Sequence, residues 1–294
     1  MIDKLEMFIA LAQARHFGKA AEAIGVTQPT LSAGIRQLED QLGVMLVLRG
    51  SRFQGLTPEG KRVLEWARQI VGDVRTMKQE IRAARTGLSG KLRLAVIPTA
   101  LTIASRLTTA FARLHPNVHF TIVSTTSVQV LHLLEDLQID AGISYLDNEP
   151  LGRVATVPLY AERYALILHK DAPMASRTQV GWADLADLPL CLLTPDMQNR
   201  RIIAGHLAEA GIEVAPTVES NSMIVLVSHV LNAGMATILP IRSAEIFLER
   251  GPLCAVPITA PDASHSVGLI APYREPHTPL LAALLQEARR FSES

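Results

Sequence analysis

A chain of 294 residues, 48% of them hydrophobic, is long for a single core and has the material to bury two or three. Its formal charge is zero but uneven: residues 1–90 hold 13 Lys and Arg against 9 Asp and Glu, net +4, and residues 91–294 hold 15 against 19, net −4, which points to a basic nucleic-acid-binding part and an acidic remainder. Cys191 and Cys254 are the only cysteines, which excludes a disulfide framework or zinc ribbon and suits a reducing cytoplasm; no basic start with an apolar run and no stretch of 18 apolar residues occurs, so neither a signal peptide nor a membrane span is expected.

The first helix is expected from Asp3, where Asp3 and Glu6 form a capping-box pattern and Leu5, Phe8, Ile9 and Ala12 make an inward stripe. A short Ala-rich helix follows over Ala20–Ile24, ended by Gly25 in the left-handed conformation. Next comes the stretch Thr27 to Gly43, read as a helix with Thr27 as N-cap and Pro29 in the first turn, where a missing N–H costs nothing. Leu31, Ile35, Leu38 and Leu42 recur at helical spacing and predict its buried stripe. The other face carries Gln28, Pro29, Thr30, Ser32, Ala33 and Arg36, whose small size and amide, hydroxyl and methyl groups suit close approach to base edges. Gly34 lies inside this helix at a cost of about 1 kcal/mol relative to Ala. Two short helices joined by a tight Gly turn make a helix-turn-helix. Residues 46–56 set Gly50 and Gly55 around Arg49 and Arg52 and predict a short two-stranded wing.

Ala20-Ala21, Thr27-Gln28-Pro29-Thr30-Leu31-Ser32, Ile35, Leu38-Glu39, Leu42-Gly43, Arg49, Arg52 and Leu56-Thr57-Pro58-Glu59-Gly60 resemble the N-terminal signature of LysR-type transcriptional regulators. The likeness is specific over residues 1–60 and extends in layout along the whole chain. It departs at Gly18, where the family usually has a Ser or Thr cap, and at Val47, where it usually has Phe. The resemblance implies that Gln28, Pro29, Thr30, Ser32 and Ala33 read major-groove edges of double-stranded promoter DNA, with Arg36, Arg49 and Arg52 on phosphates or the minor groove. It also implies a tetramer of dimer pairs and a contact to RNA polymerase.

Thr57 and Pro58 start a long helix, as N-cap and first helical residue. Along it Val63, Ala67, Ile70, Val74, Met77, Ile81 and Ala84 alternate at four and three residues, a heptad seam. Residues 58–86 would make a rod of roughly 43 Å, too long for the residues before it to cover, so a homodimer through this linker helix is expected. Thr86-Gly87-Leu88-Ser89-Gly90 breaks the rod as a hinge.

From Lys91 onwards strands alternate with helices: strands over 92–96, 118–124, 140–144, 189–193, 214–219 and 235–239, and helices over 101–114, 127–137, 198–210, 222–233 and 279–291. The apolar run Leu159 to His169 and the segment Ser266 to Ala271 are long enough to cross between two lobes. The expected fold class is therefore α/β, with an N-terminal winged helix-turn-helix over 1–57, a linker helix and hinge over 58–90, and a two-lobed effector domain over 91–294. Lobe I takes about 91–162 and 266–294 and lobe II about 163–265, a layout that resembles periplasmic binding proteins, as the family's effector domain does.

Four strand-to-helix turns carry hydroxyls or amides at helix N-termini: Pro98-Thr99-Ala100, Thr125-Thr126-Ser127, Thr194-Pro195 and Ser220-Asn221-Ser222. Ligands of open α/β sheets bind at the carboxyl ends of strands, so Thr99, Ala100, Thr125, Ser127, Thr194, Asn199 and Asn221 are expected around one cleft holding a small organic anion, a carboxylate. Arg200 and Arg201 open the helix after the third turn and could pair with it. No metal or cofactor is expected. Nine histidines show no H-E-x-x-H spacing, and neither a nucleophile elbow nor a phosphate loop occurs, so no catalytic residue is assigned. The stretch Tyr145 to Leu151 bears a looser similarity to regulators of formate dehydrogenase operons. The reading is a cytoplasmic, ligand-responsive bacterial transcription regulator. A solute-binding protein, which would need a signal peptide, and a metabolic enzyme, which would need an active site, stay as alternatives.

Overall fold

A computed structural model describes residues 1–48, 53–213, 215–249, 251–273 and 275–292. Arg49 and Arg52, and Gly50 between them, lie outside the described residues. The chain forms two compact units, one of Met1–Gly87 with Glu135–Gln138 and Pro276–Pro279, the other of the remainder.

The first unit holds α1 (Ile2–Ala14), α2 (Phe17–Ala23), α3 (Gln28–Leu42) and α4 (Pro58–Thr86). Leu5, Phe8, Ile9 and Leu11 of α1, Ala20 and Ala21 of α2, Leu31, Ile35 and Leu38 of α3, and Leu64, Ala67 and Val71 of α4 form one apolar core. The capping box expected of Asp3 does not form, because the N-cap lies two residues earlier, at Met1, which makes no side-chain bond. Asp3 instead sits in the first turn, where its charge favours the helix dipole. At α2 the His16 ring does what a Ser or Thr hydroxyl would, its Nδ1 accepting from the N–H groups of Gly18 at 3.1 Å and Lys19 at 3.3 Å. Gly25 follows with φ +70°, a conformation that costs most residues but not glycine, and so turns the chain into α3.

Thr27 caps α3 as expected, its Oγ1 accepting from the Thr30 N–H at 3.3 Å. Leu42, however, is 40% exposed and does not continue the stripe. Its expected place in the core goes to Glu39, buried with its Oε1 accepting from the backbone N–H groups of Leu46 at 2.7 Å and Val47 at 3.2 Å, which satisfies two main-chain donors. Such bonds to a charged group stabilise by about 1.5–3 kcal/mol each. At Gly34 a Cβ would fall 2.4 Å from Met7 Sδ, so the glycine that weakens α3 also lets α1 lie against it.

Val47 and Leu56 form an antiparallel bridge, flanked by bonds from Leu48 N–H to Gly55 O and from Thr57 N–H to Leu46 O, both 3.0 Å, so the base of the expected wing is present. In the first turn of α4 a Cβ on Gly60 would meet Leu46 O at 2.1 Å, a backbone atom that cannot yield, so only glycine lets the wing and α4 approach. Thr57 caps α4 by accepting from the Gly60 N–H at 2.8 Å. Of the expected seam, Ala67 faces the unit's own core and Val63 and Val74 are half-buried, whereas Ile70, Met77, Ile81 and Ala84 are exposed, with Trp66 beside them.

The second unit runs β1 (Gly90–Val96), α5 (Leu101–Leu114), β2 (Val118–Ser124), α6 (Ser127–Glu135), β3 (Ala141–Tyr145), β4 (Val154–Glu162), β5 (Tyr164–His169), β6 (Val180–Gly181), β7 (Cys191–Leu193), α7 (Gln198–Glu209), β8 (Val218–Ser220), α8 (Met223–Ala233), β9 (Thr237–Pro240), α9 (Ile241–Leu248), β10 (Leu253–Ala260), β11 (His265–Pro272) and α10 (Pro279–Ser292). One sheet has the order β2-β1-β3-β11-β4, a second β6-β10-β5-β9, and β7 pairs with β8. The apolar run 159–169 is two strands: β4 ends in the first sheet at Glu162 and β5 opens the second at Tyr164. The chain returns from β10 to β11. Pattern reading overlooked α9 and β10, because an isolated apolar run with Pro257 inside does not declare its period. One apolar core takes Leu94, Ile143 and Leu269 from the first sheet and Leu166 and Ile238 from the second. Strands β1, β2 and β3 are parallel, as are β7 and β8, so the turns that follow them lie at common sheet edges.

Candidate functional site

In the first unit, α3 presents Gln28, Pro29, Thr30, Ala33 and Arg36 exposed and Ser32 half-buried, a surface held in place by the buried Leu31, Ile35 and Leu38 behind it. Thr30 Oγ1 lies 2.8 Å from Thr27 Oγ1, which orients both hydroxyls at the helix start. The first turn, Gln28-Pro29-Thr30, carries no acidic or basic side chain, so a groove floor could approach the backbone.

In the second unit, Thr99, Ser127 and Asn199 come together with Ile97, Pro98, Tyr145, Met197 and Gln198 around a small cavity of about 10 Å³, room for about one water-sized molecule. Thr99 and Asn199 are almost wholly buried, yet among the described residues neither Thr99 Oγ1 nor Asn199 Oδ1 has a partner in full hydrogen-bond geometry, the Thr99 hydroxyl lying towards the Glu162 carboxyl. Asn199 Nδ2 donates to the Tyr145 hydroxyl at 3.1 Å, so its amide is fixed with the oxygen left over. Ser127 Oγ donates to Glu149 Oε2 at 3.3 Å. An unpaired buried acceptor costs about 1–3 kcal/mol, which a guest able to donate would recover.

The other expected effector residues are not there. Ala100 packs in the apolar core beneath α5, and Thr125 spends its N–H on Val96 O at the β1–β2 edge. Thr194 closes its own turn, its carbonyl accepting from the Met197 N–H at 3.0 Å, and its hydroxyl does not line the cavity. Asn221 is exposed, and the fourth turn is satisfied internally by Ser220 Oγ, which accepts from the Ser222 N–H. Arg200 pairs with Glu219 at 3.5 Å and Arg201 with Glu149, so neither faces the cavity with a free charge.

Behind Thr99 and Tyr145 stands a residue that pattern reading missed. Glu162 ends β4 almost wholly buried, with the hydroxyls of Tyr145, Thr99 and Tyr160 around its carboxyl, none of them in full hydrogen-bond geometry. Burial outweighs their help to the anion and pushes its pKa up to about 8. The same burial, with Glu162 nearby, raises the phenols of Tyr145, Tyr160 and Tyr164. One signal existed in the sequence: an acid inside the apolar run 159–169 has to be paired or neutral. The two thiols lie elsewhere. Cys191 is buried in β7 with its pKa pushed up to about 11 by desolvation, Cys254 is raised by the same cause, and neither lines the cavity. Among the described residues no helix is long and apolar enough to cross a membrane.

Two family models match the chain: one described as "Bacterial regulatory helix-turn-helix protein, lysR family" over residues 2–61, and one as "LysR substrate binding domain" over residues 85–292. A "Hydrogen peroxide-inducible genes activator" of Pectobacterium carotovorum subsp. carotovorum is 31% identical over 293 residues, 99% of this chain and 96% of the relative. The "DNA-binding transcriptional dual regulator OxyR" of Escherichia coli (strain K12) is also 31% identical, covering 95% of this chain and 90% of its own. Among solved structures, a full-length OxyR from Pseudomonas aeruginosa with a cysteine-to-aspartate substitution superposes with a TM-score of 0.77 at 26% identity, covering 98% of this chain and 94% of its own. The Pectobacterium relative is named for hydrogen peroxide, and neither relative is named for formate.

Proposed function

Because this chain belongs to the LysR family of DNA-binding transcription regulators, we propose that it is a ligand-responsive member whose effector is a small, uncharged, hydrogen-bonding molecule held at the Thr99 cavity. On this reading Gln28, Pro29, Thr30, Ser32 and Ala33 read base edges and Arg36 holds a phosphate, while exposed Ile70, Met77 and Ile81 of α4 pair with a second copy, and dimers pair into a tetramer. It works where the promoter is, in the cytoplasm.

The observation that carries the effector class is the pair of buried side-chain oxygens, Thr99 Oγ1 and Asn199 Oδ1, neither in full hydrogen-bond geometry among the described residues, on residues that line a water-sized space. An organic anion, expected from the helix N-termini, fits poorly: no Lys or Arg lines the space, and the Glu162 carboxyl stands behind it. Hydrogen peroxide falls within the class, in keeping with the relatives' names. Oxidation of a thiol is less well supported, since a thiolate is the nucleophile and desolvation shifts both thiols, the partly buried Cys254 included, away from that form. Full-length wild type, the Cys191→Ser/Cys254→Ser double variant and Thr99→Val would be compared for DNA binding and melting with hydrogen peroxide, other small uncharged molecules and a set of carboxylates. The double variant should respond as wild type does, and Thr99→Val should weaken the ligand about tenfold. Loss of the response with the cysteines would move sensing to a thiol, and stabilisation by carboxylates alone would restore the anion.

A further inference from the structure

Beside that cavity α7 turns His206 and Glu209 towards Asn148 and His265 across a separate open cleft of about 280 Å³. His206 comes from α7 and His265 from the start of β11, and their Nε2 atoms lie 3.2 Å apart. The neighbours of the two rings decide where each proton sits. Asn148 Nδ2 lies 2.7 Å from Asp147 Oδ1, a carboxylate oxygen that can only accept, so it is the amide nitrogen that also meets His265 Nδ1 at 2.8 Å. His265 Nδ1 is therefore an acceptor, and its Nε2 carries the hydrogen and donates to His206 Nε2. That leaves the hydrogen of His206 on Nδ1, 3.4 Å from Glu209 Oε2. Asp147 Oδ2 stands 3.7 Å from His265 Nδ1, too far to displace Asn148, and accepts from the Ser266 N–H at 2.9 Å. Both rings are neutral in this chain of bonds, and each of their nitrogens is committed.

We propose that the His206–His265 bond is an acid-sensitive latch that ties α7 to β11. A proton added at His206 Nε2 sets two N–H groups face to face at 3.2 Å, and one added at His265 Nδ1 opposes the Asn148 N–H instead of accepting from it. The rings are not free to turn aside: Trp182, just after β6, stacks on His206 with centroids 4.9 Å apart, and Tyr145 of β3 and Tyr164 of β5 flank His265. Of the charges around the pair, Asp147 and the mostly exposed Glu209 favour an imidazolium, and Arg201 is paired with Glu149. Glu162, opposite His265 on β4, keeps its proton in the acid range. Burial outweighs Asp147 and, with His206 alongside, lowers the pKa of His265. Separated rings therefore bind protons more tightly than latched ones, so the bond is intact above the ordinary value of 6.5 and is lost as pH falls below it. The two side chains are 17% and 12% exposed at the cleft, so protons reach them without unfolding. Asn199, which lines the Thr99 cavity, lies about two turns back along α7 from His206, so releasing the latch frees the helix that supplies it. The latch itself is independent of whatever occupies that cavity.

The test is amide hydrogen exchange of the full-length protein, read by mass spectrometry from about pH 5.5 to 8 and corrected for the intrinsic effect of pH. Peptides of α7 should lose about tenfold in protection at the acid end, while those of α5 keep theirs. His206→Gln retains an acceptor for the His265 N–H and does not titrate, so its α7 should stay protected across the range. In wild type, exchange at the imidazole C2 carbon follows the titration of each ring, a readout that needs no variant to fold. The His265 midpoint should lie below 6.5 and coincide with the loosening of α7. Protection of α7 that does not change with pH, that falls equally in His206→Gln, or that falls away from the His265 midpoint would overturn the proposal and leave the pair as a fixed N–H···N bond.

Discussion

At Glu162 the consequence of burial can be read in stability. Its folded pKa of about 8 lies above the ordinary carboxyl value of 4.5, so the folded chain holds this proton more tightly than the unfolded one. The contribution is therefore fully present below pH 4.5 and is lost as pH rises to 8, about 5 kcal/mol in all at about 1.36 kcal/mol per unit. Glu162→Gln should flatten this slope and raise stability relative to wild type at pH 8 and above. Urea titrations of both proteins from pH 5 to 9 check it, and the difference between them cancels other groups such as His265. If the two curves run parallel, the carboxyl is paired and charged. Thr99 and Asn199 were legible as polar residues at strand-to-helix turns, but which of the turns share a cavity was not, since Thr125 and Asn221 carry the same local signature and point elsewhere.

Among the elements, α4 shows how one periodic pattern serves two purposes. Its first turns give Leu64, Ala67 and Val71 to the unit's own core, while further along Ile70, Met77 and Ile81 stay exposed, Met77 by 52% and Ile81 by 59%. Trp66, 64% exposed, extends that stripe and is absent from the strict four-and-three count. Contiguous apolar exposure of this kind marks an interface. Ile70→Asp, which would set a charge against its own copy in a dry seam, should dissociate the full-length protein by at least tenfold in sedimentation without lowering its helix content. An assembly unchanged by this substitution would place the dimer contact elsewhere. The stripe of α3 taught the opposite lesson: Leu42 had the right spacing but fell beyond the packed region, and Glu39 took the inward place because backbone donors of Leu46 and Val47 needed an acceptor.

For the whole molecule, a dimer carrying two copies of α3 should bind a DNA dyad with half-sites about 10 bp apart or a multiple of it. Gln28→Ala should cost about 1–3 kcal/mol on the cognate site and little on random DNA, with the salt slope unchanged, because an uncharged side chain neutralises no phosphate. Fluorescence anisotropy across a salt series on both DNAs decides it; equal losses on the two would remove Gln28 from base reading.

The sequence by itself determined what depends on neighbours along the chain. Thr27 and Thr57 as caps, Gly25 as the turn, and the helix over 101–114 follow from spacing and from the chemistry of single residues, and so does the α/β alternation that led to the two sheets. Tertiary structure decided what depends on residues far apart. The cavity needs Thr99 and Asn199, and the histidine pair needs positions 206 and 265, which only the strand order and the two crossings between sheets bring within reach. The charge state of Glu162 and the reactivity of Cys191 were settled the same way, because desolvation is set by everything packed around a group and leaves no period in the sequence.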